Sequence, residues 1–341
     1  MRFALATEQL DFATELRKVL DAGQVPAAVR AWADGDTAKG TALLRQVAEM
    51  GVFSLIVDER YDGADATAVD LVVAMIELGR AAAPGPVIES AAVIPALLQR
   101  LPDTAAAQRW LPELATGALL GTVGFDRAQP GIALDAGTTE LVLVAEGRRV
   151  AVGRPGHEPT DGAGSGPIAS IDPARKLFRV VAGETVAEDV EDAIDYAFDV
   201  GVLACAAQLL GAGRAILDQT TTYAKQRKQF GRVIGEFQAV KQQLADVLIA
   251  LDLAEPLVYR AALTLDTPDR ARDVSAALVA CGDAAHRAAR AGLQVHGAIG
   301  YTAECDLSLW LTRVAALRTA WGTADFHRAR IATALRTPAT A

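Results

Sequence analysis

The sequence predicts a mostly helical protein with one small β-unit, an α+β class, and two changes of periodicity carry that expectation. Apolar residues recur at helical spacing in the first third of the chain, switch to short strand-like runs near residue 119, and return to long helical stripes from about residue 191. The expected organisation is therefore an N-terminal helical domain over 1–118, a middle β-domain over 119–190 and a C-terminal helical bundle over 191–341.

In the first domain, Leu10, Ala13, Leu16 and Leu20 mark one helix, and Val69, Val72, Val73 and Ile76 mark another that Gly79 and Pro84-Gly85-Pro86 are expected to stop. In the middle domain, Leu141-Val142-Leu143-Val144 and Arg149-Val150-Ala151-Val152 flank Glu146-Gly147, a hairpin signal, and Lys176 to Val181 reads as a further strand. The Gly162-Ala163-Gly164-Ser165-Gly166 run lacks the Gly-Lys-Ser/Thr ending of a phosphate-binding loop and no helix pattern follows it, so it reads as a flexible loop. In the last domain, Phe237, Val240, Leu244, Val247, Leu248 and Leu251 form one helical stripe, and Pro256 is expected to kink or end that helix. Further helices are expected over roughly 270–293 and after Asp306.

Composition narrows the function classes. With 341 residues, 51% of them hydrophobic, the chain is long enough to bury a sizeable core. A net charge of −9, with 42 acidic against 33 basic residues, argues against a nucleic-acid partner. The apolar run from Val200 to Gly213 is interrupted by Gln208 and closed by Arg214, so it reads as a buried helix and no membrane span is expected. The start of the sequence meets Glu8 and Asp11 before any sustained apolar region, so no secretory signal is expected either. Cys205, Cys281 and Cys305 are odd in number and far apart, which fits a reduced, cytoplasmic setting without disulfides. His157, His286, His296 and His327 are scattered, which argues against a metal cluster.

Two stretches carry the chemistry. In Arg227-Lys228-Gln229-Phe230-Gly231, followed by Gln238, the planar guanidinium of Arg227 suits a diphosphate through paired, charge-assisted hydrogen bonds; read alone, Lys225, Arg227, Lys228 and Arg232 are a solvated surface cluster. The second stretch is Gln294-Val295-His296-Gly297-Ala298-Ile299-Gly300-Tyr301, where a glycine at 297 allows close backbone approach.

Together these stretches resemble two C-terminal motifs of the acyl-CoA dehydrogenases, flavoenzymes that desaturate acyl-CoA thioesters. Asp58-Glu59-Arg60-Tyr61-Asp62-Gly63 resembles that family's Pro-Glu-Xaa-Tyr-Gly-Gly segment, with departures at Asp58 and Asp62. The resemblance implies the three-part fold and assigns Arg227, Gln229, Phe230, Gln238, Gln294 and Gly297 to contacts with the ADP portion of FAD, made on behalf of a neighbouring subunit. The family usually has a second glycine where this chain has Ala298.

Desaturation requires a carboxylate to take the α-proton, and most of the family places a glutamate beside a Gly-Thr pair. That position is Trp321 here, followed by Gly322-Thr323; a minority site on the preceding long helix falls at Gly201. Asp199, two residues away, is turned by about 200° on a helix; Glu304, Asp306 and Asp325 read as solvated or capping acids. No catalytic residue is therefore assigned. Catalytic members wrap their own flavin ring with a Thr-Glu-Pro segment followed by Gly-Ser, and with a later Lys-Xaa-Trp-Ile segment. Gly121 to Pro130 stands in place of the first, and the second is not recognisable.

Gly300-Tyr301-Thr302, Glu304, Asp306, Leu311, Arg313 and His327-Arg328 are similar to a short branch of the family found as paired subunits. That branch implies an α2β2 complex with a second acyl-CoA dehydrogenase-like subunit, flavin at the unlike interface, and an acyl-CoA substrate, in several cases a steroid side-chain thioester. The expected function is a companion subunit completing a partner's FAD site. The alternatives are an independently active homo-oligomeric dehydrogenase with an unrecognised base, and a non-catalytic interaction protein on the same scaffold.

Overall fold

A computed structural model describes residues 4–127, 131–156, 166–302 and 304–336. The expected glycine-rich loop therefore falls outside the described residues, except for Gly166, and so do His157 and the end of the Gly121–Pro130 segment. The N-terminal part comprises α1 (Thr7–Ala22), α2 (Val25–Asp34), α3 (Ala38–Glu49) and α4 (Ala68–Ala81), then a π turn (Glu89–Val93) leading into α5 (Ile94–Leu98), and α6 (Ala105–Ala115). Helix α4 starts where Thr67 accepts from the Asp70 amide and Asp70 reaches back to the Thr67 amide, satisfying two donors that the first turn leaves free.

Gly79 does not stop α4, which runs on until Ala82 adopts a left-handed conformation. A Cβ at Gly79 would lie 2.2 Å from the Gln208 carbonyl oxygen, and one at Gly211 would lie 2.0 Å from that of Ile76. These glycines let two backbones touch.

The middle part is a five-stranded sheet in the order β1-β3-β4-β5-β2, built from β1 (Gly121–Phe125), β2 (Ile132–Leu134), β3 (Leu141–Glu146), β4 (Arg149–Pro155) and β5 (Leu177–Ala187). The expected hairpin is β3–β4, pairing Glu146 with Arg149 across Gly147 at φ 58°. Strand β1 runs parallel to β3, and its start is bonded in both directions to the Ser90 hydroxyl beside the π turn.

The C-terminal part comprises α7 (Glu191–Gln226), a short hairpin of β6 (Lys228–Gln229) and β7 (Arg232–Val233), α8 (Gln238–Leu263), α9 (Arg270–His296), α10 (Leu307–Ala320) and α11 (Ala324–Arg336). The apolar run near Val200 proves to be part of a 36-residue helix, long and apolar enough by length and composition to cross a membrane. Its position in the fold is the stronger observation, since 89% of its most apolar stretch is buried among the other helices. Pro256 does not end α8, which continues to Leu263. Proline removes one amide donor near the helix end, where packing of Val258, Ala261 and Ala262 in the core keeps the last turn in place.

Buried polar contacts tie the three parts together. Arg313 on α10 bonds the Asp172 carboxylate at 2.5 Å and the Ala83 carbonyl at 2.7 Å, and Trp310 donates to the Arg80 carbonyl. Trp32 on α2 donates to Asp135, just after β2.

Candidate functional site

Six residues assigned to dinucleotide contact collect at one end of the C-terminal bundle. Arg227 caps α7, its amide bonded to the Tyr223 carbonyl at 2.9 Å. The next four residues turn sharply, with Phe230 at φ 52° and Gly231 at φ 78°, the pair of positive φ values that a tight two-residue hairpin requires. That turn throws Phe230 outward, 92% exposed, with its edge on Phe237. Gln229 is exposed beside it, and Gln238 opens α8.

The second stretch ends α9. Gly297 sits at φ 66°, ψ −146°, a conformation that disfavours side chains, and among the described residues nothing lies within 4 Å of where a Cβ would sit. Glycine is demanded by the backbone, and it leaves a bare, exposed surface. Gln294, one turn earlier, is also exposed.

What brings the two stretches together is a ring stack: Tyr223 and His296 lie 4.1 Å apart and tilted by 21°. His296 is bonded through Nδ1 to the Gly292 carbonyl, and burial holds it neutral by lowering its pKa. Among the described residues, the side chains of Arg227 and Lys228 have no bonding partner in the chain. Free donors, an exposed aromatic ring and bare backbone on one surface fit the diphosphate and nucleotide end of a dinucleotide.

The opposite holds around Trp321 and Gly201, the positions to which the resemblance assigns the family's glutamate. Trp321 is 5% exposed, and its ring rests directly on Gly201, where a Cβ would come within 2.4 Å of it. These two positions are thus in contact, one filled by an indole and the other left without a side chain to receive it. Phe125 and Phe198 pack around that indole at 5.8 and 5.9 Å between centroids. His327, fully buried, is bonded to the Trp321 carbonyl at 2.8 Å and to Ser275 at 3.0 Å, and burial lowers its pKa to about 4. The cavity left between these groups, β1, β2 and the π turn is about 40 Å³, room for about one water molecule. A flavin ring does not fit there.

None of the acids named from sequence faces this cavity. Asp199 is buried in a double ion pair with Arg270 at 2.9 Å and Arg330 at 2.6 Å. Asp306 pairs with Arg30, Asp325 is exposed beside Arg328, and Glu304 is exposed. The carboxylate that does line the cavity is Glu89, which sequence reasoning passed over. The π turn places it there, one oxygen has no hydrogen-bond partner among the described residues, and burial raises its pKa against the opposing effect of Arg175. Its signal in the sequence is a single acid within the apolar stretch from Val87 to Ile94.

Two family models match the chain: acyl-CoA dehydrogenase, N-terminal domain, over residues 6–118, and acyl-CoA dehydrogenase, C-terminal domain, over residues 192–336. The acyl-CoA dehydrogenase IpdE2 of Mycobacterium tuberculosis is 32% identical over 290 residues, covering 84% of this chain and 85% of that protein. Among solved structures, the ChsE4-ChsE5 complex from Mycobacterium tuberculosis superposes with a TM-score of 0.86 at 22% identity, covering 99% of this chain and 100% of the matched chain. The Tcur3481-Tcur3483 steroid ACAD G363A variant gives a TM-score of 0.80 at 20% identity, covering 96% and 97%. At these identities the structural matches establish the fold.

Proposed function

Because this chain belongs to the acyl-CoA dehydrogenase family of FAD-dependent flavoproteins, we propose that it is the companion subunit of a heteromeric acyl-CoA dehydrogenase, lending ADP-side contacts to an FAD held by an unlike partner. The observation that carries this reading is the closure of the chain's own reaction cavity by Trp321 on Gly201 beside an open dinucleotide edge. FAD, when bound, accepts the β-hydrogen of the acyl thioester as hydride. This chain's part is to hold the diphosphate through Arg227, present Phe230, Gln229, Gln238 and Gln294 to the nucleotide, and leave Gly297 bare for close approach. The base that removes the α-proton belongs to the partner.

Solved relatives of the same fold that pair unlike chains, or whose title specifies a steroid enzyme, support an α2β2 assembly acting on a bulky acyl-CoA such as a steroid side-chain thioester. The test is flavin content. Expressed alone, the chain should retain little FAD; co-expressed with an unlike acyl-CoA dehydrogenase-like subunit, it should give stoichiometric flavin and turnover. A yellow, active preparation of the single chain would overturn the proposal.

One observation favours the second reading, an independently active dehydrogenase: Glu89 is a buried carboxylate lining the cavity that Trp321 closes. That reading requires Trp321 to leave its pocket and requires turnover to collapse in Glu89→Gln.

A further inference from the structure

Arg175 stands just before β5, at the end of a turn that α10 holds in place. Asp172 accepts from the Ala174 amide at 3.0 Å through one carboxylate oxygen and from the Arg175 amide at 2.9 Å through its carbonyl, while Arg313 bonds its other carboxylate oxygen. The turn brings the Arg175 side chain inward, where it is 8% exposed and lines the cavity beside Trp321. Among the described residues its guanidinium makes no hydrogen bond, and no carboxylate oxygen lies within 4 Å of it.

A guanidinium keeps its charge in a protein, and a buried charge without a paired partner is costly. Two acids act on Arg175 from farther away. Burial holds the Glu89 carboxyl toward its neutral form, and it raises Asp135 to about 7 against the Trp32 hydrogen bond and Arg175. Each keeps one oxygen without a hydrogen-bond partner among the described residues. Cys205 on α7, which also feels Arg175, is pushed up to about 12 by burial and stays a neutral thiol.

The rest of the cavity wall is apolar, with Val123, Phe125, Leu134, Leu177 and Phe198 beside the Trp321 ring. Its polar groups are therefore the donors of Arg175 and one carboxyl, around a volume of about 40 Å³. A water molecule fits that volume but brings no charge to set against the guanidinium, and a phosphate or an acyl thioester exceeds it. A single-atom anion meets both conditions. We propose that this cavity is a halide site, in which Arg175 donates to a chloride-class anion and the Glu89 carboxyl is the second donor. The proposal is independent of the cofactor reading, since it needs neither flavin nor an unlike subunit.

The test uses bromide, which replaces chloride and scatters anomalously. Crystals of the full chain grown in bromide should give an anomalous peak within hydrogen-bond reach of the Arg175 guanidinium. In solution, sodium chloride or bromide should raise the thermal midpoint relative to sodium gluconate at equal ionic strength, by about 2 °C for each ten-fold rise above the dissociation constant. Arg175→Gln, with folding checked by circular dichroism, should lose that halide-specific rise, and Arg175→Lys, which keeps a charged donor, should retain a smaller one. Bromide crystals with only a water in the cavity, or a bromide peak at crystal concentration with no rise in solution, would overturn the proposal. An equal rise in wild type and folded Arg175→Gln would do the same.

Discussion

At Arg227 the sequence supports two opposite roles, a solvated charge and a phosphate ligand, and an exposed guanidinium with no bonding partner among the described residues is compatible with both. Hydrogen bonds to charged groups contribute about 1.5–3 kcal/mol each. Arg227→Ala should therefore lower FAD affinity of the complex about ten-fold or more, read by flavin fluorescence on dilution, with helical content unchanged because no core cavity is made. Asp135 gives a pH-dependent outcome. Burial raises its pKa from 3.8 to about 7, a shift that the Trp32 hydrogen bond and Arg175 only partly offset. Between those two values the folded chain holds a proton that the unfolded chain has released, so this residue's contribution to stability falls as pH rises through the window and is lowest above 7. Asp135→Asn keeps an acceptor for Trp32 and tolerates the residue's φ of 52°. It should raise the thermal midpoint by a few degrees at pH 8 and by much less at pH 5.

The element on which the proposed role rests is the turn from α10 into α11. Gly322, at φ 106°, lets the backbone reverse directly after Trp321, and His327 on α11 fixes the Trp321 carbonyl. The indole is thereby held against α7. Overpacking a core site costs typically about 1–3 kcal/mol, and removing a buried tryptophan about 3–5. Gly201→Ala should destabilise the chain within the first range, Trp321→Ala within the second, and the double variant should fall short of their sum, because the new methyl enters the space the indole vacates. Chemical denaturation of the four proteins measures this. Full additivity would mean that the two residues do not share the site.

Across the whole molecule, domain packing sorts the acids into solvated, ion-paired and buried groups. Glu304 and Asp325 face solvent, Asp306 pairs with Arg30, and Glu89 is sealed behind Trp321. Amide replacements at Glu89, Glu304, Asp306 and Asp325 should each leave turnover of the complex within a few-fold of wild type, against the 10²–10⁴-fold that loss of a general base typically costs. Asp199 belongs to a different class, because Asp199→Asn breaks a buried double ion pair and acts on stability. By itself the sequence determined the helical, β, helical order and the positions of most helices and of the β3–β4 hairpin, since these follow from local periodicity and turn chemistry. The resemblance to the family assigns Trp321 and Gly201 to its glutamate positions. Only the tertiary structure showed that those two residues fill one space, that Gly79 and Gly211 serve helix contact, that Pro256 lies within a helix, and that Glu89 faces the cavity. Each of these depends on which surfaces meet across elements far apart in the chain, and that information lies in packing and in no local stretch of residues.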